Sequence, residues 1–148
     1  MSLNVLIVDD KQIAAKSLKN ILEGPLYGYV VEWARCYNEA IDALNGRPQP
    51  QMLSKDNYSG SYDIAVVDGD FPIDNTDKPL ELLGVELITV MLSMPQFADT
   101  KIILSTSNAQ IIVNKYVQEN HPEIMGKFYY ADKTDPVSIF DLLPYQNQ

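Results

Sequence analysis

Short apolar segments alternate with stretches of helical periodicity along most of the chain, and this alternation is the feature that most restricts the possible folds. Three of the apolar segments are continuous rather than interrupted by polar residues, which is typical of strands that are buried on both faces. The five predicted strands are Asn4 to Val8, Tyr29 to Trp33, Ile64 to Val67, Lys101 to Ser105 and Lys127 to Ala131. We therefore expect a parallel sheet covered by helices on both faces.

The stretches between the strands carry apolar residues three or four positions apart, the spacing of amphipathic helices. The predicted helices are Lys11 to Glu23, Tyr37 to Leu44, Leu82 to Met94, Ala109 to Glu119 and Val137 to Leu143. The buried face of the first helix is expected to consist of Ala14, Leu18, Ile21 and Leu22. At the fourth helix we expect Ser107 or Asn108 to be the N-cap.

Two longer segments interrupt the alternation, Arg47 to Ser61 and Ile73 to Leu83. Both are expected to be surface loops, because proline, serine and aspartate favour turns over regular structure. The second loop contains Asp74 and Asp77, which we expect to be solvated charges rather than ligands.

The size and charge of the chain limit its organisation and partners. It has 148 residues, of which 46% are hydrophobic, and this is enough for one core. We expect a single domain over residues 1–148, either complete or excised from a longer protein. The formal net charge of -9 argues against nucleic acid as a direct partner, because phosphate binding needs clustered lysine and arginine.

Cysteine content and hydropathy indicate the compartment. Cys36 is the only cysteine, so no intramolecular disulfide can form. The longest apolar runs are too short to cross a bilayer, and the N-terminus lacks the features of a signal peptide. The sequence therefore predicts a cytoplasmic protein that does not enter the membrane.

Acidic and polar residues follow four of the five predicted strands, at the point where each strand ends. They are Asp9 and Asp10, then Asp68, Gly69 and Asp70, then Thr106, Ser107 and Asn108, and finally Asp132 and Lys133. In an open parallel sheet, ligands bind at the carboxyl ends of the strands. Three aspartates brought together there would repel one another unless a cation neutralises them.

The ligand types indicate which cation fits. Carboxylate oxygens without a nearby histidine or cysteine favour a hard ion, and Mg²⁺ is the usual one in cells. Thr106 and Lys133 would add a hydroxyl and an ammonium group, the donors that an incoming phosphoryl group needs. Together these residues predict phosphoryl transfer to a carboxylate beside a metal ion.

Four segments resemble the motifs of the response-regulator receiver family, and the resemblance spans nearly the whole chain. The segments are Val5 to Asp10, Ile64 to Pro72, Leu104 to Ser107 and Phe128 to Lys133. The resemblance implies a flavodoxin-like (βα)5 fold, in which a doubly wound five-stranded parallel sheet carries helices on both faces. It also implies a signalling phosphoacceptor that catalyses only its own phosphorylation and dephosphorylation, and so is not an enzyme in the usual sense.

The same resemblance implies the metal ligands, with Mg²⁺ as the cofactor. Asp68 would be both the phosphoacceptor and a metal ligand. Asp10 would bind the ion directly and Asp9 largely through water. The backbone carbonyl of Asp70 would be a further ligand.

Three residues take roles in phosphoryl binding and switching by this resemblance. Lys133 and Thr106 would contact the phosphoryl group, and Tyr130 would be the aromatic residue that rotates as Thr106 moves. The phosphodonor would be a histidine kinase or a phosphotransfer protein. The surface of the fourth helix and fifth strand would bind a downstream protein target, and formation of a homodimer is left open.

Two positions depart from the family pattern. Thr134 stands where a proline after a cis peptide bond is usual, so we expect a trans bond and a different direction for Lys133. Asp70 places a negative charge two residues from the phosphoacceptor, which should affect the rates of phosphorylation and hydrolysis in a direction that the sequence does not give.

Two other functions remain open at this point. Asp68 and Asp70 also match the nucleophile and acid of haloacid-dehalogenase-like phosphatases, although in that family this strand leads the chain and the paired acids come last. Alternatively, the chain is a degenerate receiver that acts only as a docking module. The complete set of acidic, hydroxyl and ammonium groups weighs against this second alternative.

Overall fold

The computed structural model describes residues 2–47 and 60–145, so residues 48–59 of the predicted loop Arg47 to Ser61 lie outside the described residues. Five parallel strands form one sheet in the order β2-β1-β3-β4-β5. The strands are β1 (Asn4–Val8), β2 (Val30–Ala34), β3 (Ile64–Asp68), β4 (Lys101–Thr106) and β5 (Tyr129–Asp132). The α-helices are α1 (Gln12–Glu23), α2 (Tyr37–Leu44), α3 (Leu83–Leu92) and α4 (Gln110–Asn120). This strand order is the flavodoxin-like, doubly wound one, and it confirms the predicted fold class.

Both faces of the sheet are buried. Successive residues of a strand point to opposite faces, so neighbouring residues lie in different cores. On one side, Leu6 and Val67 belong to a core that includes residues of α2, α3 and α4. On the other side, Ile7 and Val66 lie in a second core with residues of α1 and with Leu143 near the C-terminus. With both faces covered, a ligand can reach the sheet only at the ends of the strands.

The prediction of a fifth α-helix over Val137 to Leu143 is wrong. This segment forms turns followed by a single 3₁₀ turn at Phe140–Leu142. So short a segment cannot offset the cost of helix nucleation by its own hydrogen bonds. It is held by side-chain contacts instead, and the hydroxyl of Tyr29, directly before β2, donates a hydrogen bond to the carbonyl of Pro144.

The predicted buried face of α1 is partly wrong. Leu22 is fully buried and Leu18 is half-buried, as expected, but Ala14 is exposed and Ile21 is 47% exposed. The neighbouring Ala15 is buried in place of Ala14. The face that contacts the sheet therefore follows the spacing i, i+3, i+7 from Ala15, a stripe that the apolar residues alone did not distinguish from its neighbour.

A close backbone contact fixes the start of α3 against the end of β3. The amide of Gly84 donates a hydrogen bond to the carbonyl of Gly69 at 3.0 Å. A β-carbon added at Gly84 would lie only 2.1 Å from the backbone oxygen of Asp68. The end of β3 can therefore lie this close to α3 only because residue 84 has no side chain.

Replacing Gly84 with alanine is expected to lower the free energy of unfolding by about 2 to 3 kcal/mol, because the methyl group overlaps a backbone atom that cannot rotate away. Urea unfolding followed by circular dichroism measures the change. Gly126→Asn is the control, since a β-carbon at Gly126 meets no atom within 4 Å and asparagine tolerates its positive φ. An effect at Gly84 no larger than that at Gly126 would contradict the steric explanation.

Candidate functional site

Three aspartates converge at the carboxyl ends of the neighbouring strands β1 and β3. Each of Asp9, Asp10 and Asp68 has a carboxylate oxygen within 4.8 Å of the corresponding oxygens of the other two. Asp9 and Asp68 are only 6% and 5% exposed. The structure thus brings together the three carboxylates that the sequence placed at the ends of two separate strands.

The cluster contains carboxylate oxygens that a cation could bind. Among the described residues, Asp10 Oδ1 and Asp68 Oδ2 are buried atoms without a hydrogen-bond partner. The ammonium of Lys11 is near both, at 3.8 and 3.7 Å, which is too far for a hydrogen bond. Buried carboxylate oxygens of this kind are costly unless an ion or a proton satisfies them, and oxygen ligands alone fit Mg²⁺.

Burial makes the carboxylate of Asp68 unusually basic. Burial raises the pKa of Asp68 to about 6, and the negative charge of Asp9 adds to the increase, while Lys133 and Lys11 act in the opposite direction. Burial lowers the pKa of Lys133, but the nearby charges of Asp68 and Asp9 outweigh it and leave that pKa raised. Lys133 is therefore a cation at neutral pH, and most of the Asp68 population is ionised.

Lys133 reaches the cluster from the end of β5. Its Nζ lies 2.9 Å from Asp9 Oδ2 and 3.1 Å from Asp68 Oδ1. Its backbone amide donates to the carbonyl of Thr106 at 2.9 Å, which ties the β5 loop to the end of β4. None of the described peptide bonds is cis, so the bond to Thr134 is trans as expected. With this trans bond, the ammonium of Lys133 still contacts the carboxylate of Asp68.

Thr106 lies at the end of β4 and is only 1% exposed. Its hydroxyl oxygen accepts hydrogen bonds from the backbone amide of Asn108 at 3.1 Å and from the Asn108 side chain at 3.0 Å. The hydroxyl of Tyr130 donates to the backbone carbonyl of Asn108. The two residues predicted to switch, Thr106 and Tyr130, are thus both bonded to the same loop residue.

The expected role of Asn108 as a helix cap is wrong, and so is that of Ser107. Ala109 occupies the N-cap position of α4, and no side chain caps the helix. The Asn108 amide group is bound instead by Thr106 and by Asp70, whose Oδ1 lies 3.1 Å away. Capping was the prediction because asparagine is common at helix starts, whereas the partners that bind it here are the last residue of β4 and a residue that follows β3.

Asp70 does not belong to the carboxylate cluster of the described residues. Its Oδ1 accepts hydrogen bonds from the backbone amide of Leu82 at 2.8 Å and from Asn108. The predicted metal contact through the Asp70 backbone carbonyl stays a prediction. Asp74 and Asp77 likewise lie outside the cluster. Asp74 accepts a hydrogen bond from the side-chain amide of Asn38, and Asp77 accepts one from the backbone amide of Asp74.

The sequence analysis missed three residues that contribute to this site. Lys11 follows the acidic pair directly, and that adjacency was the available signal, although it was assigned only to the first helix. Trp33 Nε1 donates to the backbone carbonyl of Asp9 at 2.8 Å and so fixes the end of β1. Gly69 allows Thr106 to approach, since a β-carbon there would lie 2.3 Å from Thr106 Oγ1. Neither of the last two contacts has a local sequence signature.

Several solved structures that match this fold are response regulators or their receiver domains. A receiver domain protein (CheY-like) from Methanospirillum hungatei JF-1 is 20% identical, with a TM-score of 0.64 over 95% of this chain and 90% of that one. A response regulator from Burkholderia pseudomallei, described with a phosphorylated aspartic acid, calcium ion and citrate, is 21% identical, with a TM-score of 0.64 over 97% and 67%. A Francisella response regulator receiver domain is 18% identical, with a TM-score of 0.59 over 95% and 90%.

These likenesses establish the fold, which is that of response-regulator receiver domains, as the resemblance implied. No protein-family model matches the chain, and no curated protein is significantly similar to it. Within the described ranges, no helix has the length and hydropathy that crossing a membrane requires.

Replacing Asp68 with asparagine is expected to stabilise the metal-free protein at pH 7 by about 2 kcal/mol, because folding raises the pKa of Asp68 from about 4 to about 6 and so disfavours the charged form. Between these pH values the folded state holds a proton that the unfolded state has released. The free energy of unfolding of the wild type therefore falls as the pH rises through this range.

The gain in the variant should accordingly shrink to about 0.5 kcal/mol near pH 4, where Asp68 is protonated in the folded state and about half protonated in the unfolded state. Urea unfolding of both proteins in the presence of a chelator, from pH 4 to pH 8, measures this difference. A gain that is equal at all pH values would contradict the assignment to Asp68.

Proposed function

We propose that the chain is a receiver of a two-component phosphorelay, in which Asp68 accepts a phosphoryl group from the phosphohistidine of a histidine kinase or phosphotransfer protein. The observation that carries this proposal is the convergence of three carboxylates, two of them buried, with the ammonium of Lys133, at 3.1 Å from Asp68. A cytoplasmic protein with Mg²⁺ as cofactor fits this chemistry.

The chain's own residues would perform the transfer as follows. An ionised Asp68 oxygen forms the new bond to phosphorus while the bond from phosphorus to the imidazole nitrogen breaks, and the imidazole leaves after gaining a proton. Lys133 faces the same carboxylate and would bind an oxygen of the transferred group. A Mg²⁺ ion held by Asp9, Asp10 and Asp68 would neutralise charge on the transferred oxygens.

The switching step would use Thr106 and Tyr130. A phosphoryl oxygen on Asp68 offers the Thr106 hydroxyl an acceptor that the unmodified site lacks, and Thr106 would move towards it. Because Thr106 and Tyr130 both bind Asn108, a shift of Thr106 can change the position of Tyr130. A downstream protein would read the changed surface of α4 and β5, and pairing of two copies is a further possibility of the same surface.

The structure gives the phosphatase alternative no specific support. In that mechanism Asp70 must face the leaving group as a free acid. Here its carboxylate is engaged by the Leu82 amide and by Asn108. The docking-only alternative is disfavoured by Lys133, which a vestigial site would have no need to hold between Asp9 and Asp68.

Incubation with Mg²⁺ and acetyl phosphate is expected to add one phosphoryl group to the protein, detected by intact-mass spectrometry at neutral pH. Asp68→Asn should abolish the adduct. Lys133→Met, which keeps the apolar stem and removes the charge, should slow its formation by about 100-fold. Chelation of the metal should abolish the adduct as well.

Asp77→Asn is the matched control, since Asp77 is an aspartate outside the carboxylate cluster and should leave the adduct unchanged. Absence of any adduct in the wild type would overturn the receiver proposal in favour of a docking module. Sustained hydrolysis of phosphate monoesters that depends on both Asp68 and Asp70 would favour the phosphatase.

A further inference from the structure

The segment of residues 72–82, called the strap below, joins β3 to α3 and is anchored first at the start of α2. The carbonyl of Pro72 accepts a hydrogen bond from the Tyr37 amide at 2.9 Å. The side chain of Asn75 donates to Glu39 at 2.8 Å. At this end the strap supplies acceptors to the first turn of α2, for which no side-chain cap is present.

At its other end the strap is held by one carboxylate. The amide of Leu82 donates to Asp70 Oδ1 at 2.8 Å, and the Leu82 side chain is buried. Leu82 has a φ of 58°, in the left-handed region that favours glycine. A leucine stays in this conformation only when its surroundings hold it there, and the bond to Asp70 is one such restraint.

The same carboxylate is linked to the phosphoacceptor site through Asn108. One nitrogen of the Asn108 side chain lies 3.1 Å from Asp70 Oδ1 and 3.0 Å from Thr106 Oγ1. A continuous set of hydrogen bonds therefore runs from Thr106 through Asn108 and Asp70 to the backbone of Leu82. The backbone carbonyl of Asn108 separately accepts the Tyr130 hydroxyl.

We propose that phosphorylation of Asp68 loosens the C-terminal end of the strap through Asn108 and Asp70, so that the strap is a second responsive surface beside that of α4 and β5. This inference rests on the proposed function. Movement of Thr106 towards a phosphoryl group removes one of the two oxygens that hold the Asn108 side chain. Because Asp70 Oδ1 is bonded to the Asn108 side chain, it follows Asn108 as that side chain shifts and moves away from the Leu82 amide.

The strap carries exposed apolar and acidic side chains. Ile73 and Leu80 are 40% and 45% exposed, and the acidic residues Asp74, Asp77 and Glu81 are exposed beside them. Loosening the anchor at Leu82 would change the spacing of these apolar and acidic groups while the α2 end stays bound.

Hydrogen exchange of the Leu82 amide, measured by NMR in the Mg²⁺-loaded protein, tests the proposal when beryllium trifluoride is added as the phosphoryl mimic. Exchange is expected to become about tenfold faster or more, since a hydrogen bond to a carboxylate is lost. Fluorine NMR of the same sample shows whether the mimic is bound at Asp68.

Asn108→Ala is the variant that isolates the link. It removes the side chain that joins Thr106 to Asp70, yet keeps the backbone carbonyl that binds Tyr130 and the bond from Leu82 to Asp70. In this variant the mimic should change Leu82 exchange by less than about twofold. Asn38→Ala is the control, since Asn38 contacts the strap at Asp74, away from Asp70, and the full response should remain.

The outcomes separate this inference from the proposed function. If the mimic binds and Leu82 exchange is unchanged or slower, the strap proposal is overturned and the receiver proposal stands. If the response persists in Asn108→Ala, the route through Asn108 is wrong. If no mimic binds to the Mg²⁺-loaded wild type, both proposals fail together.

Discussion

The mutual repulsion of three aspartates at one edge of the sheet is the constraint on which the rest of the site depends. Taking carboxylates out of water is costly, and placing them within 4.8 Å of one another adds to the cost. Lys133 offsets part of it by contacting Asp9 and Asp68 together. A bound cation would offset the remaining repulsion, and the three carboxylates lie close enough together to hold one.

The surrounding structure holds this unfavourable arrangement in place with backbone contacts. The Trp33 indole fixes the carbonyl of Asp9, and Gly84 lets α3 begin directly against the carbonyl of Asp68. These contacts involve main-chain atoms, so they fix the backbone positions from which the Asp9 and Asp68 side chains extend. Stability given up at the site is recovered in the two cores on either face of the sheet.

Much of the fold and the site could be predicted because each depends on a local pattern. Short apolar runs, three of them continuous, marked the five strands. Residues directly after a parallel strand must lie at one edge, which brought Asp10, Asp68 and Lys133 together without coordinates. What failed depended on partners distant in sequence. The C-terminal segment looked helical by spacing, yet its side chains Phe140 and Leu142 pack against a core built from distant strands. Asn108 looked like a cap, although Asp70, 38 residues earlier, binds its side chain.

The indole of Trp33 gives the molecule an internal optical reporter. The chain has one tryptophan, and its ring nitrogen is bonded to the backbone of a residue in the acidic cluster, so its emission originates beside the site. Charge that arrives at or leaves the cluster changes the electric field across that ring. The unlabelled protein should therefore report the occupancy of its own site as a change in intrinsic fluorescence, without an attached dye.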